Sequence, residues 1–209
     1  MPRQADAAAT RQRILTASGE LMRRHGYAGT GIKAILTASG VPYGSLYYHF
    51  PGGKEQVGVE TLHQAGEAYL ALVDALLPEG EDLPTAVRRA FADAAELVAS
   101  TDYADACPVA TIAGEIASTI EPMREAAAAA FASWIDLIEL RLREAGVGED
   151  AAHDVAVELF CLLEGAFLLA RTTRDVTSLH VTGRAAESTV RAALAASTGT
   201  APAEVAAPR

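Results

Sequence analysis

The stretch GVPYGSLYYHFPGGK, residues 40–54, decides how this chain folds. Apolar residues just before it recur at the i, i+3, i+4 spacing of a helix with one buried face: Ile32, Ile35 and Leu36. Thr30 or Gly31 can begin that helix, and Gly40 can end it in a left-handed turn. Pro42 suits the start of the next helix because its missing N–H is not needed there. Two short helices joined by a tight turn form a helix-turn-helix.

The second helix of this motif, about Pro42 to Tyr48, is too short to be stable alone and must be held by its neighbours. Leu46 and Phe50 are spaced to point inward. The other side chains form an outer surface: Tyr43, Gly44, Ser45, Tyr47, Tyr48 and His49. The last three of these are consecutive, so they cannot all be core residues on a 3.6-residue period. Their hydroxyl and imidazole groups suit phosphates and base edges, and Lys54 adds a charge at the next helix start.

The residues that follow the pattern GVxxGSLYxHF, with Lys54 and Glu55 after it, closely resemble the signature of the tetracycline-repressor (TetR) family of bacterial transcription regulators. The resemblance covers about the first quarter of the chain. It implies that the DNA backbone is gripped by Tyr47, His49 and Lys54. It implies that the groove is faced by Tyr43, Gly44, Ser45 and Tyr48. With Thr30 and Lys33 these residues make the predicted DNA-binding set. Many relatives carry lysine in place of Tyr43, so this chain lacks a charge on the groove side.

Charge is divided unevenly along the chain, although its net value is −10. Residues 1–54 hold seven basic and two acidic side chains, a net charge of +5. Residues 55–209 hold ten basic and twenty-five acidic side chains, a net charge of −15. A basic head on an acidic body is the pattern of a DNA-binding domain joined to a domain that does not bind DNA.

The rest of the chain reads as amphipathic helices, which predicts an all-α fold with a helical body after the three-helix head. We expect a DNA-binding domain at 1–54, an effector-binding and dimerisation domain at 55–198, and a disordered tail at 199–209. A long helix, 54–77, leaves the head and enters the body, and it is the only evident mechanical link between them. No segment resembles a signal peptide or a membrane span, and two unpaired cysteines suit a cytoplasmic protein.

Large apolar side chains on several helices of the body predict an effector cavity. Its predicted lining comprises Phe91, Cys107, Thr111, Ile112, Phe131, Trp134, Leu137, Ile138, Phe160, Leu163 and Glu164. Such walls suit a flat, largely hydrophobic ligand, with Glu164 or Thr111 to orient it.

The segment CPVATIAGE, residues 107–115, is similar to one in the LmrA/YxaF-like subgroup of the TetR family. That resemblance implies an effector that is small and often aromatic or antibiotic-like. A cysteine at a helix start has its thiolate favoured by the helix dipole, so redox sensing is one interpretation of Cys107. We favour a packed, inert cysteine because no partner cysteine is close in sequence.

Residues 155–170 are apolar nearly all round, so this helix must be covered on most faces. One side can line the cavity and the other can meet a second subunit, with a purely intramolecular core as the alternative. The family resemblance implies that this helix and the last one form a four-helix bundle with their twins. The predicted dimer interface comprises Leu163, Phe167 and Leu168.

Two carboxylate–imidazole pairs one helical turn apart, Glu60 with His63 and Asp150 with His153, leave a di-iron carboxylate oxidase as an alternative function. Such a site needs two further inward carboxylates, and the first pair lies on the helix leaving the head. The sequence therefore predicts a homodimeric regulator, most often a repressor in this family. It would bind pseudo-palindromic double-stranded operator DNA and be released by a small molecule, with no catalytic residue, metal or cofactor.

Overall fold

A computed structural model describes residues 2–104 and 107–198, with side chains from Asp6 onward. Within these ranges the chain forms nine helices and no strand, which confirms the all-α prediction. The helices are α1 (Pro2–His25), α2 (Ile32–Ser39), α3 (Tyr43–His49), α4 (Gly53–Leu76), α5 (Leu83–Ser100), α6 (Pro108–Ile116), α7 (Glu121–Glu144), α8 (Glu149–Thr173) and α9 (Thr177–Thr198). The tail expected to be disordered, 199–209, lies outside the described residues.

The turn between α2 and α3 has the geometry that its sequence requires. Gly31 precedes α2, and Gly40 follows it with a φ of +63°, a left-handed conformation that glycine adopts without strain. The N–H of Val41 then donates to the carbonyl of Leu36 at 3.2 Å. Pro42 lies one position before the first residue of α3 and not inside the helix.

The short helix α3 is held in place by its buried side chains. Leu46 in the middle of α3 and Phe50 just after it are both fully buried against α1 and α2. Burying a side chain of this size stabilises a fold by about 1.5–3 kcal/mol, which α3 cannot obtain on its own. The helix-turn-helix is therefore stable only as part of the three-helix head.

In the body, α4 packs along α7, and glycine permits the two helices to approach closely. A Cβ added at Gly66 would lie 3.0 Å from the Cβ of Ala130. At the other end of the body, α5, α8 and α9 enclose a second core. There a Cβ at Gly183 would lie 2.8 Å from the Cβ of Phe91, so the aromatic ring sits directly on the backbone of α9.

The head is joined to the body by more than α4, contrary to the expectation from sequence. Helix α6 packs against both α1 and α4. One continuous core contains buried residues of the head, such as Ile14 and Phe50, and of the body, such as Ile112 and Trp134. Sequence periodicity could not identify α6 as a second link because it does not say which helices meet.

Candidate DNA-binding face and effector cavity

The outer surface of α3 carries the three tyrosines that the sequence placed there. Tyr43 and Tyr48 are 66% and 77% exposed, and Tyr47 is also exposed. The rings of Tyr43 and Tyr47 lie 6.3 Å apart, and the ring of Tyr48 meets His49 edge-on at 4.9 Å. Large exposed rings with hydroxyl groups on a basic head suit contacts with DNA backbone and base edges.

The remaining residues of the predicted DNA-binding set divide between this surface and the interior. Gly44 is exposed and Ser45 partly so on α3, and Lys33 is exposed on α2. Thr30 is buried, and its hydroxyl donates to the carbonyl of Gly26 at 2.8 Å. Its side chain therefore stabilises the turn between α1 and α2, where it is turned away from solvent.

Lys54 lies at the start of α4 beside the ring of Tyr27. Its Nζ is 4.1 Å from the ring centroid, a cation–π arrangement. Partial burial lowers the pKa of Lys54, and the Glu115 carboxylate on α6 partly opposes this effect. The N-terminus of α4 has no side-chain cap. A charged amine at a helix N-terminus is an arrangement that can bind phosphate.

The head also contacts α6 through Glu115. Its Oε2 accepts a hydrogen bond from the backbone N–H of Ala28 at 2.8 Å. Gly26, with a φ of +71°, leaves the space that this carboxylate occupies, because a Cβ there would overlap Glu115. The loop between α1 and α2 is thus tied to a helix of the body.

A cavity of about 400 Å³ lies in the body between α4, α5, α7 and α8, with α1 and α6 at its head-proximal side. It is lined by Arg23, Tyr69, Leu72, Val73, Leu76, Ala90, Asp93, Ala94, Leu97, Val98, Cys107, Trp134, Ile138, Phe160, Leu163, Glu164 and Phe167. Leu72 and Leu97 are exposed lining residues, so the cavity opens between α4 and α5. Its size and mainly apolar wall are typical of small-molecule sites.

Aromatic rings form one wall of the cavity. The ring centroid of Trp134 lies 5.7 Å from that of Tyr69 and 6.0 Å from that of Phe160. Its Nε1 donates to the carbonyl of Gly66 at 2.9 Å, which fixes the ring orientation. This wall is therefore a cluster of aromatic rings in mutual contact, with the indole held by a hydrogen bond.

Three titratable groups come together at the polar end of the cavity. Burial raises the pKa of Glu164 to about 7, and a hydrogen bond with Cys107 partly opposes the rise. Burial, followed by the nearby Glu164, raises the pKa of the Cys107 thiol above its ordinary value. Burial also raises the pKa of Tyr69 to about 12. Cys107 is 2% exposed and stays a neutral thiol at neutral pH, which favours the packed over the redox-sensing interpretation.

The structure brings six of the eleven residues of the predicted cavity together on its wall: Cys107, Trp134, Ile138, Phe160, Leu163 and Glu164. Five lie off the wall: Phe91, Thr111, Ile112, Phe131 and Leu137. Phe91 faces α9, and Ile112 is buried in the core shared with the head. Phe131 stands behind the wall, 5.3 Å from Phe160. The hydroxyl of Thr111 donates to the carbonyl of Cys107 at 2.9 Å.

Sequence reasoning missed the wall that α4 and α5 provide. Tyr69, Leu72 and Val73 were visible as apolar positions of α4, yet nothing in the sequence distinguished the cavity face from the core face. Arg23 on α1 also lines the cavity, which helical periodicity did not indicate.

An apolar surface remains on α8 and α9. Leu168 is 69% exposed, and Leu169 and Val181 are exposed nearby. Leu163 and Phe167, which were predicted at the dimer interface, line the cavity. On a helix of 3.6 residues per turn, Leu163 and Leu168 point in different directions. Helix α8 can therefore line the cavity with one face and present apolar side chains to solvent with another.

In each carboxylate–imidazole pair, one member interacts with a side chain outside the pair. Glu60 accepts hydrogen bonds from Arg11 and Gln56, while His63 is exposed. The Nδ1 of His153 lies 2.9 Å from Glu139. In the described part of the chain, no cluster of three or more His, Cys, Asp or Glu residues has a metal-binding arrangement. Nor is any helix there long and apolar enough to cross a membrane.

A helix-turn-helix head with a solvent-facing recognition helix, joined to a helical body with an apolar cavity, defines a DNA-binding transcriptional regulator. Residues 14–60 match the family of bacterial regulatory proteins called the tetR family. Residues 84–185 match the LmrA/YxaF-like C-terminal domain of transcriptional regulators. The chain belongs to the TetR family and carries an LmrA/YxaF-like C-terminal domain.

The curated relatives and solved structures agree with this assignment. The HTH-type transcriptional regulator LmrA of Bacillus subtilis is 32% identical over 170 residues, which cover 81% of this chain and 90% of LmrA. The uncharacterized regulator YxaF of the same organism is 31% identical, with coverage of 81% and 89%. The crystal structure of reduced Escherichia coli NemR superposes with a TM-score of 0.77 at 25% identity, covering 86% of this chain and 95% of NemR.

Proposed function

We propose that this regulator is a homodimeric repressor that binds a pseudo-palindromic operator and is released when a small hydrophobic molecule enters its cavity. The observation that carries the DNA-binding part is the exposed tyrosine surface of α3 on a head of net charge +5. Repression is typical of the family. The division into a head at 1–54 and a body from 55 onward, and a cytoplasmic location, belong to the same proposal.

The proposed contacts with DNA follow from the geometry of α3 and its flanks. Tyr47, His49 and Lys54 would bind the sugar-phosphate backbone. The groove would be read by Tyr43, Gly44, Ser45 and Tyr48, with Lys33 on α2 near the backbone. In a two-fold dimer the two recognition helices enter successive major grooves about 34–36 Å apart. A small change in this separation is sufficient to weaken binding.

The proposed dimer forms through α8 and α9. Leu168, Leu169 and Val181 give these helices an exposed apolar surface. Isolated exposed leucines are common on monomers, but neighbouring ones on two adjacent helices favour an interface. A four-helix bundle with a second copy would cover them.

The proposed signal passes from the cavity to the head through α4 and α6. Helix α4 supplies Tyr69, Leu72, Val73 and Leu76 to the cavity and Lys54 to the DNA-binding surface. Cys107, immediately before α6, lines the cavity, and α6 itself supplies Glu115 to the loop at Ala28. A ligand that spreads α4 from α5 would therefore reposition the head.

Fluorescence anisotropy on a labelled duplex from the gene's own upstream region tests the DNA-binding part. We expect tight binding at low salt that weakens steeply as salt is added. Tyr43→Ala and Ser45→Ala should alter the preferred sequence, whereas Arg89→Ala, a body substitution remote from α3, should not. Absence of binding by the wild type at low salt would contradict the proposal.

A further inference from the structure

Glu164 is the acidic side chain at the polar end of the cavity. Its side chain is partly buried, and the influences on its pKa are burial, which raises it, and the Cys107 thiol, which opposes the rise. Arg23 is the basic residue among the described residues that line the cavity. Its charge acts on Tyr69, lowering the pKa of the phenol, and does not offset the burial of Glu164. A cation beside Glu164 would supply the missing charge.

The walls near this carboxylate are aromatic. Trp134, Phe160 and Tyr69 all line the cavity within one cluster of rings. Aromatic faces attract cations, most strongly where water is excluded. A partly buried carboxylate beside aromatic rings recognises an organic ammonium group better than a neutral group of the same shape.

We propose that the effector of this cavity is a lipophilic amine, with its ammonium group against the Glu164 carboxylate and its aromatic body against Trp134 and Phe160. The inference rests on the proposed function, because it names the chemical class that the regulatory cavity accepts. A volume of about 400 Å³ accommodates a fused-ring aromatic of two or three rings with a short aminoalkyl arm.

The charged residues on the wall agree with a single positive charge on the ligand. The acidic ones are Glu164 on α8 and Asp93 on α5, and the basic one is Arg23 on α1. Asp93 is exposed on the α5 side of the opening and can attract a cation from solvent. A carboxylate ligand would instead meet Glu164 and be repelled.

A matched pair of probes separates charge from shape: 9-(aminomethyl)anthracene and 9-(hydroxymethyl)anthracene. Trp134 is the only tryptophan of the chain, so energy transfer from it to a bound anthracene reports occupancy of the cavity. We expect the wild type to bind the amine about tenfold or more tightly than the alcohol, the effect of a charge-assisted hydrogen bond.

Two variants decide whether Glu164 causes the preference. Glu164→Gln should bind the alcohol within about twofold of the wild type and should lose the preference for the amine. Glu96→Gln removes an exposed acidic side chain of α5 that does not line the cavity, and it should keep the preference. Unchanged circular dichroism and alcohol binding show that the variants are folded.

Equal binding of the two probes by the wild type would overturn the inference. So would a preference for the amine that persists in Glu164→Gln, or a failure of both probes to quench Trp134. None of these results bears on operator binding, which is measured on duplex DNA without probe. A failure of the proposed function would give a different result. The amine would bind in the cavity, but the affinity of the protein for operator would be the same with and without the amine.

Discussion

The Glu115 carboxylate on α6 accepts a hydrogen bond from the backbone N–H of Ala28 in the head, at 2.8 Å. At the other end of the same helix, Cys107 lines the cavity. Lys54, the proposed phosphate ligand, is close enough to Glu115 for the carboxylate to affect its pKa. One short helix therefore contacts both the cavity and the base of the DNA-binding surface.

Replacing Glu115 with alanine should loosen the loop between α1 and α2 without unfolding the protein. Loss of a hydrogen bond worth about 1 kcal/mol should accelerate amide exchange at Ala28 about fivefold. Hydrogen exchange followed by NMR measures this change. Glu96→Ala, an exposed glutamate of α5, is the matched control and should leave Ala28 unaffected. Unchanged exchange at Ala28 in Glu115→Ala would mean that the contact does not order the loop.

Lys54→Ala should weaken binding to operator and to unrelated DNA by the same factor, because a phosphate contact carries no sequence information. The slope of log affinity against log salt should fall by about one unit. Anisotropy titrations at several salt concentrations give both quantities. Arg89→Ala removes a basic residue that is paired with Glu81 in the body and should leave the slope unchanged. If Lys54→Ala keeps the wild-type dependence of log affinity on log salt, Lys54 does not contact the DNA phosphates.

Leu168→Glu should convert the dimer to monomers that have lost operator affinity. The side chain of Leu168 is exposed in the single subunit, so the substitution should hardly change the folding stability of the monomer. In an interface, the introduced charge would be buried without a partner, at a cost of several kcal/mol. Leu140→Glu places the same change at an exposed leucine of α7 and should remain dimeric. Sedimentation velocity distinguishes the outcomes, and dimers in both variants would place the interface elsewhere.

The free energy of unfolding of Glu164→Gln should increase relative to that of the wild type as pH rises. Folding raises the pKa of Glu164 from 4.5 to about 7, so the folded state disfavours the ionised carboxyl. Its unfavourable contribution appears as pH rises above 4.5 and is complete above about 7. Between pH 5 and 8 the stability difference should therefore grow by on the order of 2–3 kcal/mol.

Urea unfolding of both proteins at matched concentration measures this difference. The other charged or titratable residues on the cavity wall are Arg23, Tyr69, Asp93 and Cys107. All four are present in both proteins, and the raised pKa values of Tyr69 and Cys107 keep both groups neutral in this range. A stability difference that is independent of pH would show that Glu164 does not titrate near neutrality.

The sequence was most informative where local chemistry determines structure. Gly40 had to end α2 because its left-handed turn suits glycine, and Leu46 and Phe50 had to point inward because α3 is too short to stand alone. The outward position of Tyr43 and Tyr48 then followed from helical periodicity.

The sequence was least informative where the pairing of helices decides the outcome. Thr30 looked like a surface residue, but the turn of the chain brings the Gly26 carbonyl within reach of its hydroxyl. Phe91 was assigned to the cavity, but Gly183 lets it pack on α9 instead. Which face of a helix meets which neighbour depends on contacts between residues distant in sequence, and periodicity does not contain that information.

Occupancy of the cavity and binding of operator should exclude each other, and the two effects should be reciprocal. A compound that quenches Trp134 is titrated into the free protein and into the protein saturated with operator duplex. Thermodynamic linkage requires that bound operator lower the affinity of the protein for the compound by a certain factor. The bound compound must lower the affinity for operator by the same factor. We expect equal factors, both well above one. Identical affinity for the compound with and without operator would contradict it.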